Sequence, residues 1–301
     1  MTQNKIEFQR YRDFGQIINS TFEFIRQNFL PLLKSLIFLV GPFLLITGLL
    51  LGFYQKSIFT IFQINSLSQI GLIILLLIVS IFLTMQMLLS TVYSFILIYL
   101  SKDEFTQISI EEVWDGVKQI FFKIMGLTLA LVFLIAAAFF ILVLFIGLTA
   151  NATQNPFLGM LIFLLLFIPI LFFIVKLSLI YIVALYERTG VWESIQRSFY
   201  LIKNKWWFTF GLIFVLGVIQ GLMGVIFQIP QYIIMFATMF NSLDGSGVSG
   251  VTEVLIMITS VISVFQYLLS SITIIALAFL YFSLVELKEA KGLMEKIESI
   301  N

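Results

Sequence analysis

The chain contains neither cysteine nor histidine, and only 11% of its 301 residues are charged. Without cysteine there can be no disulfide or thiolate nucleophile, and without histidine there is no imidazole to bind a metal or move a proton. The formal net charge of +1 gives no overall attraction to nucleic acid. Phosphate-binding glycine loops and serine-nucleophile motifs are also missing. We therefore expect a non-enzymatic protein with no cofactor, no metal ion and no nucleic-acid partner.

Apolar residues are abundant in place of charged ones. Sixty per cent of the residues are hydrophobic, against roughly 45–50% in soluble domains. A soluble chain of this length could not bury so much apolar surface, so lipid is predicted to surround most of it. The polar amino-terminal segment, residues 1–11, lacks the apolar core of a cleavable signal peptide.

Long runs without a charged residue predict the membrane spans, since a helix needs about 20 apolar residues to cross a bilayer. The run between Lys123 and Lys176 holds two spans, divided by a polar turn at residues 149–156. The chain is predicted to be a single all-α integral membrane domain, and no discontinuous span is evident. We place its six transmembrane helices near residues 32–54, 69–100, 124–148, 157–186, 206–228 and 254–285.

Basic residues are distributed unevenly between the two predicted sides. Lys56 alone lies on one side and Lys176 lies within a span, while all the other basic residues, of 17 in total, fall on the opposite side. By the positive-inside rule that side is cytoplasmic and holds both termini. The four tryptophans fall at the same boundary, as their amphipathic rings favour. We expect a multi-pass protein of a bacterial cytoplasmic (inner) membrane.

Three segments share one apolar spacing of four, four and three residues, which places four side chains on one side of a helix. Two of them also begin alike, with Val113-Trp114-Asp115 and Val191-Trp192-Glu193. We predict three repeats, about 13–104, 109–188 and 190–288, each an amphipathic cytoplasmic helix followed by a helical hairpin, with a short cytoplasmic tail at 289–301. The segments are Phe14/Ile18/Phe22/Ile25, Val113/Val117/Phe121/Ile124 and Val191/Ile195/Phe199/Ile202.

Two interpretations fit these segments. They are elbow helices, packed at the inner interface or against the even-numbered spans, or they form a collar that binds anionic lipid or a partner. Acidic residues are interspersed among the basic ones, which favours the elbow interpretation over a dedicated polybasic patch. The candidate residues of the cytoplasmic interface are Trp114, Trp192, Arg197, Lys203, Trp206 and Trp207.

Lys176 is the most unusual residue of the predicted spans. Ten residues separate it from Tyr186, about 15 Å along a helix, which places it near the middle of a roughly 30 Å hydrocarbon slab. Either it marks a ligand or lipid site for an anionic group, or it snorkels towards the inner leaflet. The candidate polar partners in other spans are Gln86, Gln220 and Gln266.

A glycine spacing and a pair of acidic residues are weaker signals than Lys176. Gly217 and Gly221 have the G-x-x-x-G spacing that lets another helix approach closely, so a helix-packing seam is predicted there. Asp244 and Glu253 are the two acids on the predicted outer side, and solvated loop residues are the favoured interpretation over an acid–base pair or a cation site.

Residues 175–179 (VKLSL) and 185–203 (LYERTGVWESIQRSFYLIK) resemble the membrane domain attached to some bacterial glycerophosphodiester phosphodiesterases, and related stand-alone six-span proteins of unknown function. Phe199 replaces the usual tryptophan. The resemblance implies a fold and a membrane location but no activity, because the phosphodiesterase chemistry resides in a separate domain that this chain lacks. The matching positions are Lys176, Glu187, Gly190, Val191, Glu193, Ile195, Arg197, Ser198, Leu201 and Lys203.

We expect a scaffold or accessory subunit that contacts membrane lipids and a protein partner through its cytoplasmic helices. The alternative is a transporter or exporter of a lipid or other anionic amphiphile, with Lys176 binding the anionic group. An odd number of repeats argues against the inverted-repeat plan of many transporters.

Overall fold

The structure, a computed structural model, describes residues 5–59, 67–102, 108–153, 156–243 and 250–290. These residues are mostly helical and contain no strand. In chain order the helices are α1 (Phe14–Gln27), α2 (Phe29–Ser35), a π-helical turn (Leu36–Val40), α3 (Gly41–Phe59), α4 (Leu67–Ser101), α5 (Ile110–Thr153), α6 (Pro156–Leu177), α7 (Ile180–Tyr186), α8 (Val191–Ile202), α9 (Trp206–Leu243), α10 (Gly250–Val264), a 3-10 turn (Phe265–Leu269) and α11 (Ser270–Glu289).

Six stretches of the described chain are long and apolar enough to cross a bilayer, which confirms the predicted all-helical, six-span composition. Many of their large apolar side chains are exposed, as expected for helices that face lipid. The stretches are Phe29–Ser57, Ile70–Ser101, Ile110–Phe145, Phe167–Tyr186, Trp206–Phe240 and Gly250–Glu289.

Two helices are longer than predicted. The second amphipathic segment and the third span form one continuous helix, α5, whose backbone runs through most of the predicted polar turn and ends at Thr153. The next helix begins at Pro156, a position that needs no backbone N–H because it opens the first turn. Helix α9 continues past residue 228 with Pro230 inside it, since helices that face lipid tolerate an internal proline.

The first and third amphipathic segments end before their spans begin. Between α1 and α2 the chain bends at Asn28 (φ −107°, ψ 18°), because the ring of Pro31 clashes with a continuous helix at the carbonyl of Gln27. Between α8 and α9, Asn204 adopts a positive φ of 67°, which asparagine tolerates better than most residues. The corresponding part of α5 has no such residue, so its helix does not break.

Three candidate spans change their helical geometry along their length, although each remains one apolar stretch. The first contains the π-helical turn Leu36–Val40, and the sixth contains the 3-10 turn Phe265–Leu269. The fourth turns between α6 and α7, where the Ser178 N–H donates to the carbonyl of Val175 at 3.2 Å. Gly41 and Pro42 directly follow the π-helical turn, whereas no proline or glycine lies in the other two turns.

The chain forms two compact units, each assembled from segments distant in sequence. The first unit comprises Met1–Ile6, Asn19–Phe121 and Ile213–Ile275, and the second comprises Glu7–Ile18, Phe122–Leu212 and Ala276–Asn301. Neither unit corresponds to one predicted repeat.

In the first unit, α3 packs closely against α10 and α4. A Cβ added at Gly48 would lie 2.6 Å from the Cα of Val261, so only glycine permits this approach. On the other side of α3, the Thr47 hydroxyl lies 2.6 Å from that of Ser80 and 2.8 Å from that of Thr84. These hydroxyls satisfy one another where no water reaches, as interhelical polar contacts in membranes do.

The predicted glycine seam is not a helix contact within the described residues. Gly217 and Gly221 are both exposed, and a Cβ added at either would meet nothing within 4 Å. The buried side of α9 instead carries Leu216 and Gly224, and an added Cβ at Gly224 would lie 3.1 Å from Oε1 of Gln266. The face with the G-x-x-x-G spacing is therefore open within the described part of the chain.

In the second unit, the core joins the later part of α5 to α6 and α7. Its centre is a cluster of Leu127, Leu177, Ile180 and Ala184, against which Phe199 of α8 packs.

The amino-terminal segment of the second unit is tied to α11. The Phe8 ring stacks on that of Phe279 at 4.1 Å. The Arg12 backbone N–H donates to the Ser283 hydroxyl at 3.0 Å, and its guanidinium lies 5.0 Å from the centre of the Phe279 ring. Arg12 is buried, which its sequence surroundings did not predict.

Gly48→Ala is expected to lower the thermal stability of the purified protein in detergent by several degrees. The new methyl group would overlap the backbone of Val261, and overpacking of this kind costs about 1–3 kcal/mol. Gly217→Ala is the matched control, because it adds the same methyl group at an exposed position. Equal melting temperatures for the two variants, or a larger loss for Gly217→Ala, would contradict the packing described here.

Candidate functional site

Helix α8 is held by a group of four side chains, Glu187, Arg197, Tyr281 and Glu289, which we call the α8 anchor. Arg197 Nε donates to Oε1 of Glu187 at 2.9 Å, and its Nη2 donates to Oε2 of Glu289 at 2.9 Å. The Tyr281 hydroxyl donates to the same Glu187 oxygen at 2.7 Å. The planar guanidinium fork suits this double contact, which an ammonium group could not reproduce.

The electrostatics of the α8 anchor keep Arg197 charged. Hydrogen bonding to Glu289 is the largest influence and raises the pKa of Arg197 above its ordinary value; partial burial opposes this, and Glu187 adds to the rise. The side chain of Arg197 is only 20% exposed. Arg197 therefore joins α8 to Glu187 and Glu289, a structural role that its predicted place in the cytoplasmic interface did not include.

Both ends of α8 are also fixed. At the amino end, the backbone N–H of Gly190 donates to Oε2 of Glu193 at 3.0 Å. At the carboxyl end, Lys288 donates to the backbone carbonyls of Tyr200 and Lys203, which helix termini leave without partners. These contacts fix α8 against the helices of the fourth and sixth candidate spans.

The remaining residues of the predicted interface differ in exposure. Trp192 is 68% exposed, Trp207 77% and Trp114 41%, and Lys203 is also exposed. Trp206 is different: its ring stacks on Phe172 with centroids 5.5 Å apart, and its indole N–H donates to the Phe172 carbonyl at 3.2 Å.

Lys176 lies in the last turn of α6, immediately before the break in the fourth span. Its ammonium group lies over two aromatic rings, 4.8 Å from the centre of Phe172 and 5.0 Å from that of Phe199. Its backbone carbonyl accepts a hydrogen bond from the Ser198 hydroxyl at 2.6 Å. Lys176 is therefore at the level of the amphipathic helix α8.

The neighbours of Lys176 bear on its expected depth. Phe199 of α8 and, through Phe172, Trp206 lie beside Lys176, and both are predicted to lie at the cytoplasmic interface. Lys176 itself lies within the candidate span Phe167–Tyr186. These contacts agree with the alternative that the ammonium group snorkels towards the inner leaflet.

The three glutamines proposed as partners of Lys176 belong to the first unit, whereas Lys176 belongs to the second. Gln86 is fully buried in α4. Gln220 Nε2 donates to the Thr273 hydroxyl at 2.5 Å. Gln266, in the 3-10 turn of the sixth span, accepts from Gln228 Nε2 at 2.8 Å. Hydrogen bonds between neighbouring spans therefore occupy Gln220 and Gln266.

These contacts are part of a longer row of amides, which we call the glutamine track. On α9, Gln220, Gln228 and Gln231 lie on one face, with Gly224 between them. Gln231 donates to the side-chain carbonyl of Gln55, which also accepts from Ser260 Oγ at 2.9 Å. Three members were not predicted from the sequence. The positions 220, 224, 228 and 231 are spaced by four, four and three residues, and this spacing could have revealed the polar face of α9. The members of the track are Gln55, Gln220, Gln228, Gln231 and Gln266.

Glu253 is bound to a basic residue of the first unit. Its Oε2 lies 2.7 Å from Nζ of Lys56. The ion pair gives Glu253 a structural role that the solvated-loop interpretation did not include. Asp244, its predicted neighbour on the outer side, lies outside the described residues. Among those that are described, no group of three or more metal-binding side chains is present.

No protein-family model, curated protein or solved structure matches the chain. The resemblance to the membrane domain of bacterial glycerophosphodiester phosphodiesterases therefore depends on the residues quoted for it and stays a prediction.

Arg197→Gln is expected to loosen α8, because it leaves two partly buried carboxylates without their cation. Allowing for solvent screening, we expect a loss of about 1–2 kcal/mol, seen as roughly tenfold faster hydrogen exchange of the α8 amides. Gln196→Ala, at the exposed neighbouring position, is the control and should leave exchange unchanged. Unaltered protection in Arg197→Gln would show that the α8 anchor does not hold the helix.

Proposed function

We propose that the chain is a non-enzymatic scaffold or accessory subunit of a bacterial cytoplasmic membrane, with both termini in the cytoplasm. It would contact lipid headgroups or a protein partner through its amphipathic helices. The observation that carries this proposal is the geometry of α8, which is fixed along its length by the α8 anchor while Trp192 remains 68% exposed.

A fixed helix with an exposed aromatic residue suits binding at a membrane surface. The backbone of α8 is already ordered, so a contact to it costs little further conformational entropy. Trp192 offers an apolar ring with one N–H donor, and Lys203 at the end of the helix offers a positive charge. Indole rings and lysines favour the boundary between hydrocarbon and anionic headgroups.

We also propose that the chain contains three related repeats. The burial of α1 and α8 supports this. When the two helices are aligned by their four apolar positions, the same three positions are buried in both. Each lies one residue before the second, third or fourth apolar position. Both helices end at a break that precedes an apolar helix. The second copy departs from the pattern in its continuous α5. The buried positions are Ile17, Thr21 and Phe24 in α1 and Ser194, Ser198 and Leu201 in α8.

A photoreactive phenylalanine analogue at Trp192 tests the scaffold proposal in intact cells. Illumination is expected to give either one protein adduct of defined mass or adducts with lipid headgroups, because this side chain faces outward from a fixed helix. The matched control places the same analogue at Phe133, which is 78% exposed but within the third candidate span, and should yield acyl-chain adducts. Identical adduct patterns at the two positions would contradict the proposal.

A specific observation favours a transporter as the second candidate. The sixth candidate span changes to a 3-10 turn at Phe265–Leu269, and Gln266 in that turn pairs with Gln228 of α9, which carries most of the glutamine track. Interrupted helices with polar side chains at the interruption are a recurrent feature of transporter sites. The proposed cargo is a lipid or other anionic amphiphile.

Reconstitution into liposomes distinguishes this second candidate. A transporter should move a fluorescent phosphatidylglycerol between leaflets faster than protein-free liposomes do. Replacing Gln228 and Gln266 together by leucine should reduce the rate at least about fivefold, since it removes the amides at the interruption. Gln196→Leu on the exposed side of α8 should leave it unchanged. A wild-type rate equal to that of protein-free liposomes would eliminate the transporter candidate.

A further inference from the structure

Lys176 holds a positive charge that the described chain surrounds but does not neutralise. The two rings of Phe172 and Phe199 flank its ammonium group, and among the described residues no carboxylate forms an ion pair with it. The negative faces of the two rings attract this cation. Ring faces are weak acceptors, so the three N–H donors of the ammonium group remain available for an anion.

The surface beside Lys176 is apolar and exposed. Phe172 and Phe173 lie one turn before it on α6, and they are 39% and 49% exposed. Ile168, one further turn along the same side, is 67% exposed. Residues spaced by three and four positions form a continuous strip on a helix. The strip runs from Lys176 towards the amino end of α6, within the candidate span Phe167–Tyr186, and offers an apolar surface to an acyl chain.

The position of Lys176 is fixed by contacts on both sides. The Ser198 hydroxyl holds its backbone carbonyl, and the Trp206 indole holds that of Phe172 one turn earlier. The break after α6 leaves the hydroxyl of Ser178 buried with no hydrogen-bond partner among the described residues. A fixed ammonium group therefore lies beside Phe199 of α8 and, through Phe172, beside Trp206, both predicted to lie at the cytoplasmic interface.

We infer that Lys176 binds the phosphate of an anionic phospholipid in the predicted cytoplasmic leaflet, with an acyl chain lying along Ile168, Phe172 and Phe173. A phosphodiester supplies the negative charge and the acceptor oxygens that the ammonium group lacks. The two rings exclude water from one side of this contact, which strengthens it. The inference deepens the proposed contact with lipid headgroups and assigns it to a single site that does not depend on Trp192.

Native mass spectrometry with defined lipids tests this inference on the full chain. Wild-type protein is expected to retain one phosphatidylglycerol molecule under conditions that remove phosphatidylcholine. Lys176→Gln should weaken retention at least about tenfold, whereas Lys176→Arg should preserve it. Lys205→Gln is the matched control: its ammonium group also lies over a ring, 5.9 Å from the centre of Phe208, but it should lower retention less than about twofold.

A second measurement uses Trp206 as a reporter and needs no change at Lys176. In a protein with Trp114, Trp192 and Trp207 replaced by phenylalanine, phosphatidylglycerol brominated near the top of its acyl chains should quench Trp206 saturably. Brominated phosphatidylcholine should not, and millimolar inorganic phosphate should not compete. Competition by phosphate would assign the site to a soluble anion.

Three outcomes would overturn the inference. They are equal retention of phosphatidylglycerol by Lys176→Gln and wild type, an equal loss in Lys205→Gln, and equal quenching by the two brominated lipids. The proposed scaffold function fails separately, because its test depends on adducts at Trp192 and not on retention of lipid at Lys176.

Discussion

The double contact of Arg197 with Glu187 and Glu289 governs the arrangement of the second unit. Glu187 follows α7 and Glu289 ends α11, so one guanidinium joins α8 to the ends of two candidate spans. Removing charges from water is costly, and the two carboxylates offset that cost only while the fork geometry is kept. The orientation of α8, and with it the positions of Trp192 and Phe199, follows from this contact.

Hydrogen-bond satisfaction imposes a comparable constraint on the first unit. Where lipid surrounds a helix, polar groups must find partners within the protein. The glutamine track meets this requirement with amide pairs, and the hydroxyls of Thr47, Ser80 and Thr84 meet it with a cluster of three. Glycine at position 48 brings the backbones of α3 and α10 close together. Polar pairing and close packing thus replace the hydrophobic effect, which provides little force between helices in lipid.

The sequence predicted the features that depend on composition. Runs of uncharged residues located six candidate spans. The turns at Ser178 and at residues 265–269 escaped prediction because they contain no proline or glycine.

Residue spacing along one helix does not identify its partners. The G-x-x-x-G spacing of Gly217 and Gly221 gives their separation along α9 but not which side faces another helix. The aromatic neighbours of Lys176 come from α6 and α8, so counting along a single helix could not reveal them. The ion pair between Lys56 and Glu253 joins positions nearly two hundred residues apart, a pairing that no local pattern contains.

The two polar networks differ in their chemistry. Every member of the glutamine track is a neutral amide, which neither gains nor loses a proton at any pH that a cell encounters. The α8 anchor instead joins one guanidinium to two carboxylates, and such a contact is stabilising only while all three charges are in place. Loss of any one of these side chains would leave a partly buried charge unpaired, a penalty that the neutral glutamine track never meets.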